Sequence, residues 1–178
     1  MANFQYRRDA EEFQQNLTDR FRKFGLELAE EKTRIMLFGR FVRGNLAKTG
    51  QKPDTFDFLG FTHICGTDRG GKFALVRLPC VKSRRKFLAK SKAWLRKHRH
   101  GTREDQQKQL TLMLRGFYQY FALHHCSPKL RDVRFEVVRQ WVHILRRRSQ
   151  RHRLHWSYLL KQPWFELPYA VAVLHPTV

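Results

Sequence analysis

Apolar residues near the start of the chain recur at helical spacing. Ala10, Phe13, Leu17, Phe21 and Phe24 share one face of a helix expected over 9–24,. Asp9, Glu11 and Glu12 complement the positive end of its dipole, and Gly25 stops it,. After a short link over 26–32, the run Thr33-Arg34-Ile35-Met36-Leu37-Phe38 is rich in strand formers and is closed by Gly39, which predicts a strand,. Residues 40–54, with Gly44, Asn45, Thr49, Gly50 and Pro53, carry no sustained period and read as an exposed loop,. Two further strand-like runs, 56–64 and 72–78, flank the turn Thr67-Asp68-Arg69-Gly70-Gly71 and predict a β-hairpin,.

Beyond Pro79 the period changes from two to about 3.6. A helix over 82–98 carries Leu88, Trp94 and Leu95 among its cations. Thr102, with Asp105 three residues on, resembles a capping box, and Leu110, Met113, Leu114, Phe117, Tyr118 and Phe121 form an apolar stripe after it,. Ser127-Pro128 reads as the cap and first residue of a third helix, whose stripe is Leu130, Val133, Val137, Val138, Trp141, Ile144 and Leu145,. Three such helices with short connections bury their stripes most simply as a bundle. A tail with Trp156, Leu159, Leu160, Trp164, Phe165 and Leu167 is expected to pack back on it, with Pro163, Pro168 and Pro176 excluding a long final helix,. The expected fold class is α+β, with a boundary between Leu78 and Pro79.

Charge changes this picture from a generic fold to one with an expected partner. Lys+Arg 36 against Asp+Glu 15 gives a net charge of +21, which folding does not require and which self-repulsion makes costly. The excess is local: residues 1–68 hold 11 Lys/Arg and 10 Asp/Glu, whereas residues 69–178 hold 25 and 5. No acidic residue lies between Asp68 and Glu104, or between Glu136 and Glu166, so the cations there face solvent or phosphate,. No apolar run approaches the ~20 residues needed to span a bilayer, which argues against a membrane. Cys65, Cys80 and Cys126 are odd in number and widely spaced, against a disulfide framework and for a reducing cytoplasm,.

The candidate binding residues form two basic blocks. The first is Lys82, Arg84, Arg85, Lys86, Lys90, Lys92, Arg96, Lys97 and Arg99; the second is Arg146, Arg147, Arg148, Arg151 and Arg153. Arginine presents forked donors matched to phosphate oxygens and lysine a mobile point charge, which suits a backbone track. Changing Arg146, Arg147 and Arg148 together is expected to weaken RNA binding and leave the melt unchanged. Between the blocks, Arg115 and Tyr120 are candidates for contact with unpaired bases, whereas Phe117 and Phe121 lie on the core stripe,. His63 with Cys65, and His124-His125-Cys126, lack the paired ligand spacing of structural zinc,. Asp9, Asp54, Asp57 and Asp68 are scattered, with no adjacent Asp pair, so no two-metal catalytic centre is expected and the catalytic set is none,.

Several ordered motifs carry a family resemblance. Residues 24–34 (Phe-Gly-Leu-Glu-Leu-Ala-Glu-Glu-Lys-Thr-Arg), with Phe38-Gly39-Arg40-Phe41 beyond them, resemble the sixth conserved block of group II intron reverse transcriptases. Residues 55–63 (Thr-Phe-Asp-Phe-Leu-Gly-Phe-Thr-His), with Gly71-Lys72-Phe73 after them, resemble the seventh. Residues 114–121 (Leu-Arg-Gly-Phe-Tyr-Gln-Tyr-Phe) and 147–151 (Arg-Arg-Ser-Gln-Arg), then Leu154 and Trp156, are similar to the maturase-specific thumb. Residues 4–10 are similar to the segment just after the catalytic strand in these enzymes. Ala29 and Glu30 depart from the usual His-Pro, and Phe117 stands where His is common.

The resemblance implies a C-terminal remnant of a reverse-transcriptase palm (helix, strand, β-hairpin) over 1–78 and an all-α, basic thumb over 79–178. It implies that the catalytic Tyr-Ala-Asp-Asp motif would precede this chain and that no endonuclease domain comes after it. By the same resemblance, Lys32 is an accessory phosphate contact and Phe58, Leu59 and Gly60 form the primer grip. The implied partners are group II intron RNA, bound for splicing, and an RNA template with DNA primer. No cofactor is expected for this chain alone, since Mg2+ belongs to the complete polymerase. The alternatives are a subunit of a split RNA-directed DNA polymerase, active only with a separate N-terminal half, and a non-functional gene remnant.

Overall fold

The computed structural model describes residues 2–29, 31, 33–47, 50–148 and 154–171. The protein is mixed α+β and falls into two compact units, Met1–Asp54 and Thr55–Val178. The first unit holds α1 (Arg7–Lys23) and a short α2 (Val42–Ala47). The apolar period that predicts α1 is realised, and Arg20, Arg22 and Lys23 occupy its last turn, where cations suit the dipole,. Gly25 lies just beyond it in the left-handed region at φ 68°,.

Two expectations fail in this unit. Residues 33–38 form no strand: a strand needs a continuous ladder with a neighbour, and the sheet of the described residues does not include this run, whose Leu37 carbonyl instead accepts from the Asp54 amide at 3.2 Å,. The stretch expected as loop over 40–54 contains α2, and Asp54 returns to this run by accepting a 2.8 Å hydrogen bond from the Leu37 amide.

The second unit opens on a sheet in the order β1 (Phe56–Phe58), β2 (Phe61–Thr67), β3 (Phe73–Pro79), all neighbours antiparallel. The run 56–64 is therefore two strands rather than one. Leu59 and Gly60, at φ 48° and 78°, make a two-residue turn that pairs Phe58 with Phe61,. The β2–β3 turn is as expected, with Asp68 accepting from the Lys72 amide at 2.8 Å and Gly71 at φ 78°.

Three long helices complete the core: α3 (Val81–Lys97), α4 (Arg103–Phe121) and α5 (Ser127–Arg146). Thr102 caps α4, its hydroxyl accepting from the Asp105 amide at 3.1 Å,. The expected Ser127 cap is replaced by a short 3-10 turn, His124–Cys126, that runs directly into α5, leaving Pro128 in the first turn. The helices bury the stripes read from the sequence, with Leu95, Leu110, Leu114, Leu130, Val137 and Trp141 essentially inaccessible. Full burial of each such side chain contributes roughly 1.5–3 kcal/mol. Phe117 and Phe121 are core residues, as expected.

Buried polar atoms fix how the helices sit. Ser91 on α3 donates to Gln140 on α5 at 2.9 Å. Gln106 on α4 donates to the His98 carbonyl at 2.6 Å and accepts from the Trp141 indole at 2.8 Å. After α5, the short α6 (Trp156–Leu159) and the turn Pro163–Phe165 return to the bundle, burying Leu159, Phe165 and Leu167. Tyr118 donates to the Pro168 carbonyl at 3.2 Å, and its burial pushes the phenol up to about 12 against the opposing charge of Arg134,.

The sheet belongs to the same compact unit as the helices. Phe61 packs on Phe121 with ring centroids 5.0 Å apart, the Cys126 thiol donates to the Arg77 carbonyl at 3.1 Å, and burial raises that thiol's pKa. The unit that contains the bundle thus begins at Thr55, because Phe61 and the β1–β2 turn are packed on α3 and α4.

Candidate nucleic-acid interface

Helical geometry sorts the first basic block onto two flanks of α3. Ser91 and Leu95 are buried, so this stripe faces the bundle. Lys82, Lys86, Lys90 and Lys97 fall together on one exposed flank, while Arg85, Lys92 and Arg96 fall on the other,. Arg84 turns toward the interior, half-buried, with its Nε lacking a partner among the described residues. The ion pairs among the described residues involve α1 and α5, such as Arg7–Glu11 and Arg139–Glu136; none takes a cation of α3.

The second flank of α3 meets α5 at a groove of about 830 Å³. Lys92, Arg96 and Arg99 line one side. Arg139, His143, Arg146 and Arg147 line the other, on an outward stripe of α5 at spacings of three, four and eight residues,. Phe135, Trp156 and Leu160 supply apolar surface to the same groove. Two blocks some fifty residues apart in sequence are therefore brought to one site. The cause is the core: Val137, Val138, Trp141, Ile144 and Leu145 point inward, which forces Phe135, Arg139, His143 and Arg147 outward,.

Individual arginines in the second block differ sharply. The Arg146 Nε donates to the Leu154 carbonyl at 2.9 Å, and Arg148 donates to the Gly101 carbonyl at 2.7 Å. Arg148 is half-buried, and burial together with Arg103 lowers its pKa,. Arg147 is exposed, with no side-chain hydrogen bond or ion pair to a described residue. Arg146 and Arg148 hold backbone that Arg147 does not, so removing all three is now expected to lower the melt as well as to remove charge,. Arg139 is held by Glu136 at 2.9 Å. Within the groove, the side chains of Lys92, Arg96, Arg99 and Arg147 make no hydrogen bond or ion pair to a described residue.

The remaining candidates lie off the groove. Arg115 is exposed on α4. Tyr120, expected to meet unpaired bases, instead stacks on Phe61 at 5.5 Å and donates to the Leu59 carbonyl at 2.8 Å. The Gly60 carbonyl accepts from the Cys80 amide at 2.9 Å and from the Ser83 hydroxyl at 3.2 Å. These bonds hold a Leu at positive φ, a conformation that persists only where its surroundings over-determine it. A Cβ on Gly60 would meet Ser83 Oγ at 3.1 Å, so glycine is required by both conformation and space. Phe58 and Leu59 present an exposed apolar tip on this pinned turn. Lys32, Arg151 and Arg153 lie outside the described residues.

Sequence reasoning missed Phe135, Arg139 and His143, and assigned Trp156 and Leu160 to core packing. A spacing of four through Phe135, Arg139, His143 and Arg147 was the available signal. Leu160 is instead 73% exposed and Trp156 37%.

Among the described residues, no group of three His, Cys, Asp or Glu side chains is placed to hold a metal. Asp57 and Asp68 each serve a local turn, accepting from Thr62 and Lys72, and Asp54 accepts from the Leu37 amide far back along the chain. No described helix is long and apolar enough to cross a membrane. Comparison with protein-family models and with curated proteins returns no match for the chain.

Proposed function

We propose that this chain is the C-terminal portion of a group II intron reverse transcriptase/maturase, which binds intron RNA for splicing and template-primer when a catalytic half is present. The observation that carries the reading is the convergence of two cationic stripes, from α3 and α5, on one groove with exposed aromatic surface. Their charges lack carboxylate partners on α3 and are only partly matched on α5, so phosphate is the natural counterion,. The pinned Phe58-Leu59-Gly60 turn fits a primer-grip role, since a rigid turn can hold a strand end in one register. In this reading the chain needs no cofactor of its own, and Mg2+ enters with the carboxylates of the catalytic half. The chain in this reading works in the cytoplasm, where its buried cysteines stay reduced,.

Salt dependence tests this directly. The slope of log K against log[salt] for binding to a structured RNA is expected to be steeper than about −3, because several phosphates are neutralised together. A slope shallower than about −2 rejects an extended phosphate footprint.

A second reading is favoured by the N-terminal unit: that this chain is one subunit of a split polymerase. None of the described residues from 2 to 54 is buried, and Phe13, Leu17 and Phe21 leave an apolar face on α1 incompletely covered. A separately supplied fingers-palm half would bury that face. Primer extension by the mixture, absent from either part alone, is the expected result. A mixture as inactive as its parts rejects the split enzyme and leaves the RNA-binding reading standing.

A further inference from the structure

The groove between α3 and α5 carries two kinds of surface, and phosphate binding explains only the cations. A backbone track has no use for Phe135, 59% exposed in the middle of a helix whose inward stripe is already filled. Nor does it require Trp156 and Leu160 beside it, both left accessible by α6 although Leu159 between them is fully buried. Phe135 stands one turn before Arg139 on the same outward stripe, so apolar and cationic groups face the same space.

We propose that this groove takes single-stranded RNA, with unpaired bases turned inward onto Phe135 and Trp156 while Lys92, Arg96 and Arg147 hold the flanking phosphates. The inference rests on the RNA-binding reading and names which form of RNA the groove accepts. Three features favour it. The volume of about 830 Å³ lies within the range of pockets that enclose small organic groups, roughly 300–1,000 Å³, so a base and its sugar fit,. Cations from both α3 and α5 line the same groove as the apolar side chains, so a strand lying in it meets both kinds of surface,. Arg99 adds a guanidinium at the lining whose Nε has no partner among the described residues. A duplex keeps its base faces stacked on one another and could meet only the cationic edges.

The test compares three ligands of roughly 12 nucleotides: oligo(U), an abasic strand with the same phosphates, and a mixed-sequence duplex. Oligo(U) is expected to quench tryptophan emission and to bind roughly tenfold tighter than the abasic strand. Phe135→Ala should erase most of that preference without moving the melt, because its side chain is mostly exposed. Trp156→Phe should remove most of the quenching while keeping the affinity, since phenylalanine still stacks. Equal binding of all three ligands, with emission unchanged, overturns base insertion and leaves phosphate binding intact. Binding of an acidic peptide in preference to every RNA, or failure of any RNA to bind at ~0.1 M salt, overturns both this inference and the reading beneath it.

Discussion

Replacing Lys92, Arg96 and Arg147 together with glutamine lowers affinity for single-stranded RNA by up to about 100-fold near 0.1 M salt and makes the salt slope shallower by about 2. The arithmetic comes from counterion release: three neutralised phosphates at roughly 0.7 each on a single strand account for the change in slope. The melt stays where it was, because none of the three side chains makes a hydrogen bond or ion pair to a described residue. Arg146 and Arg148 provide the contrast. Converting both to alanine removes the bonds to the Leu154 and Gly101 carbonyls, each worth about 1 kcal/mol or more, so the melting temperature drops by several degrees,. An RNA titration and a thermal melt on the two variants separate the roles. Full affinity in the Lys92/Arg96/Arg147 variant would remove the groove from the binding surface.

That contrast also marks what the sequence could and could not reveal. The bundle was legible because its stripes are long and strongly apolar, and because Thr102, Asp105 and Pro128 punctuate the helices locally,. Residues 33–38 were misread because strand propensity describes a residue's fit to a sheet, whereas the existence of a strand depends on a partner elsewhere. Leu59 hid a turn for a related reason. Nothing local bends the chain at a leucine; Tyr120, Cys80 and Ser83, all distant in sequence, hold that backbone where it is.

The cations were legible as a charge excess, but not as a site. Which flank of α3 meets α5 is decided by inward residues such as Ser91 and Gln140, whose hydrogen bond sets how the two helices face each other. Only that packing turns Lys92 and Arg96 toward Arg147, and sends Lys82, Lys86, Lys90 and Lys97 to the opposite flank. The aromatic part was masked by mixed composition: Phe135 precedes an acidic residue and lies among arginines, so no window around it looks apolar. Tyr120 shows the converse error. An aromatic that seems free on a polar stretch of helix proved to be the hydrogen-bond donor that holds a turn.

Trp141→Ala is expected to remove about 5 kcal/mol from the stability of the 55–178 unit, a third or more of the roughly 5–15 kcal/mol a domain commonly has. Trp141 is fully inaccessible, stacks on Phe165 at 5.1 Å and meets the edge of Trp164 at 5.9 Å. Truncating such a side chain costs about 3–5 kcal/mol in lost burial and cavity formation. The indole also donates to Gln106, which is itself buried; without that donor the Gln106 oxygen is left unsatisfied, a further cost of about 1–3 kcal/mol,. Because the inward position of Trp141 directs Arg139, His143 and Arg147 outward, the variant loses RNA affinity along with its melt, unlike the surface variants. Urea denaturation monitored by far- and near-ultraviolet circular dichroism measures the loss, with Trp141→Phe falling between the two. A shift below about 1 kcal/mol would mean that the indole is not the keystone of the bundle. A flat melt of the unaltered chain would place the protein with non-functional gene remnants, since a groove built by packing two helices cannot exist in a chain that does not cooperatively fold.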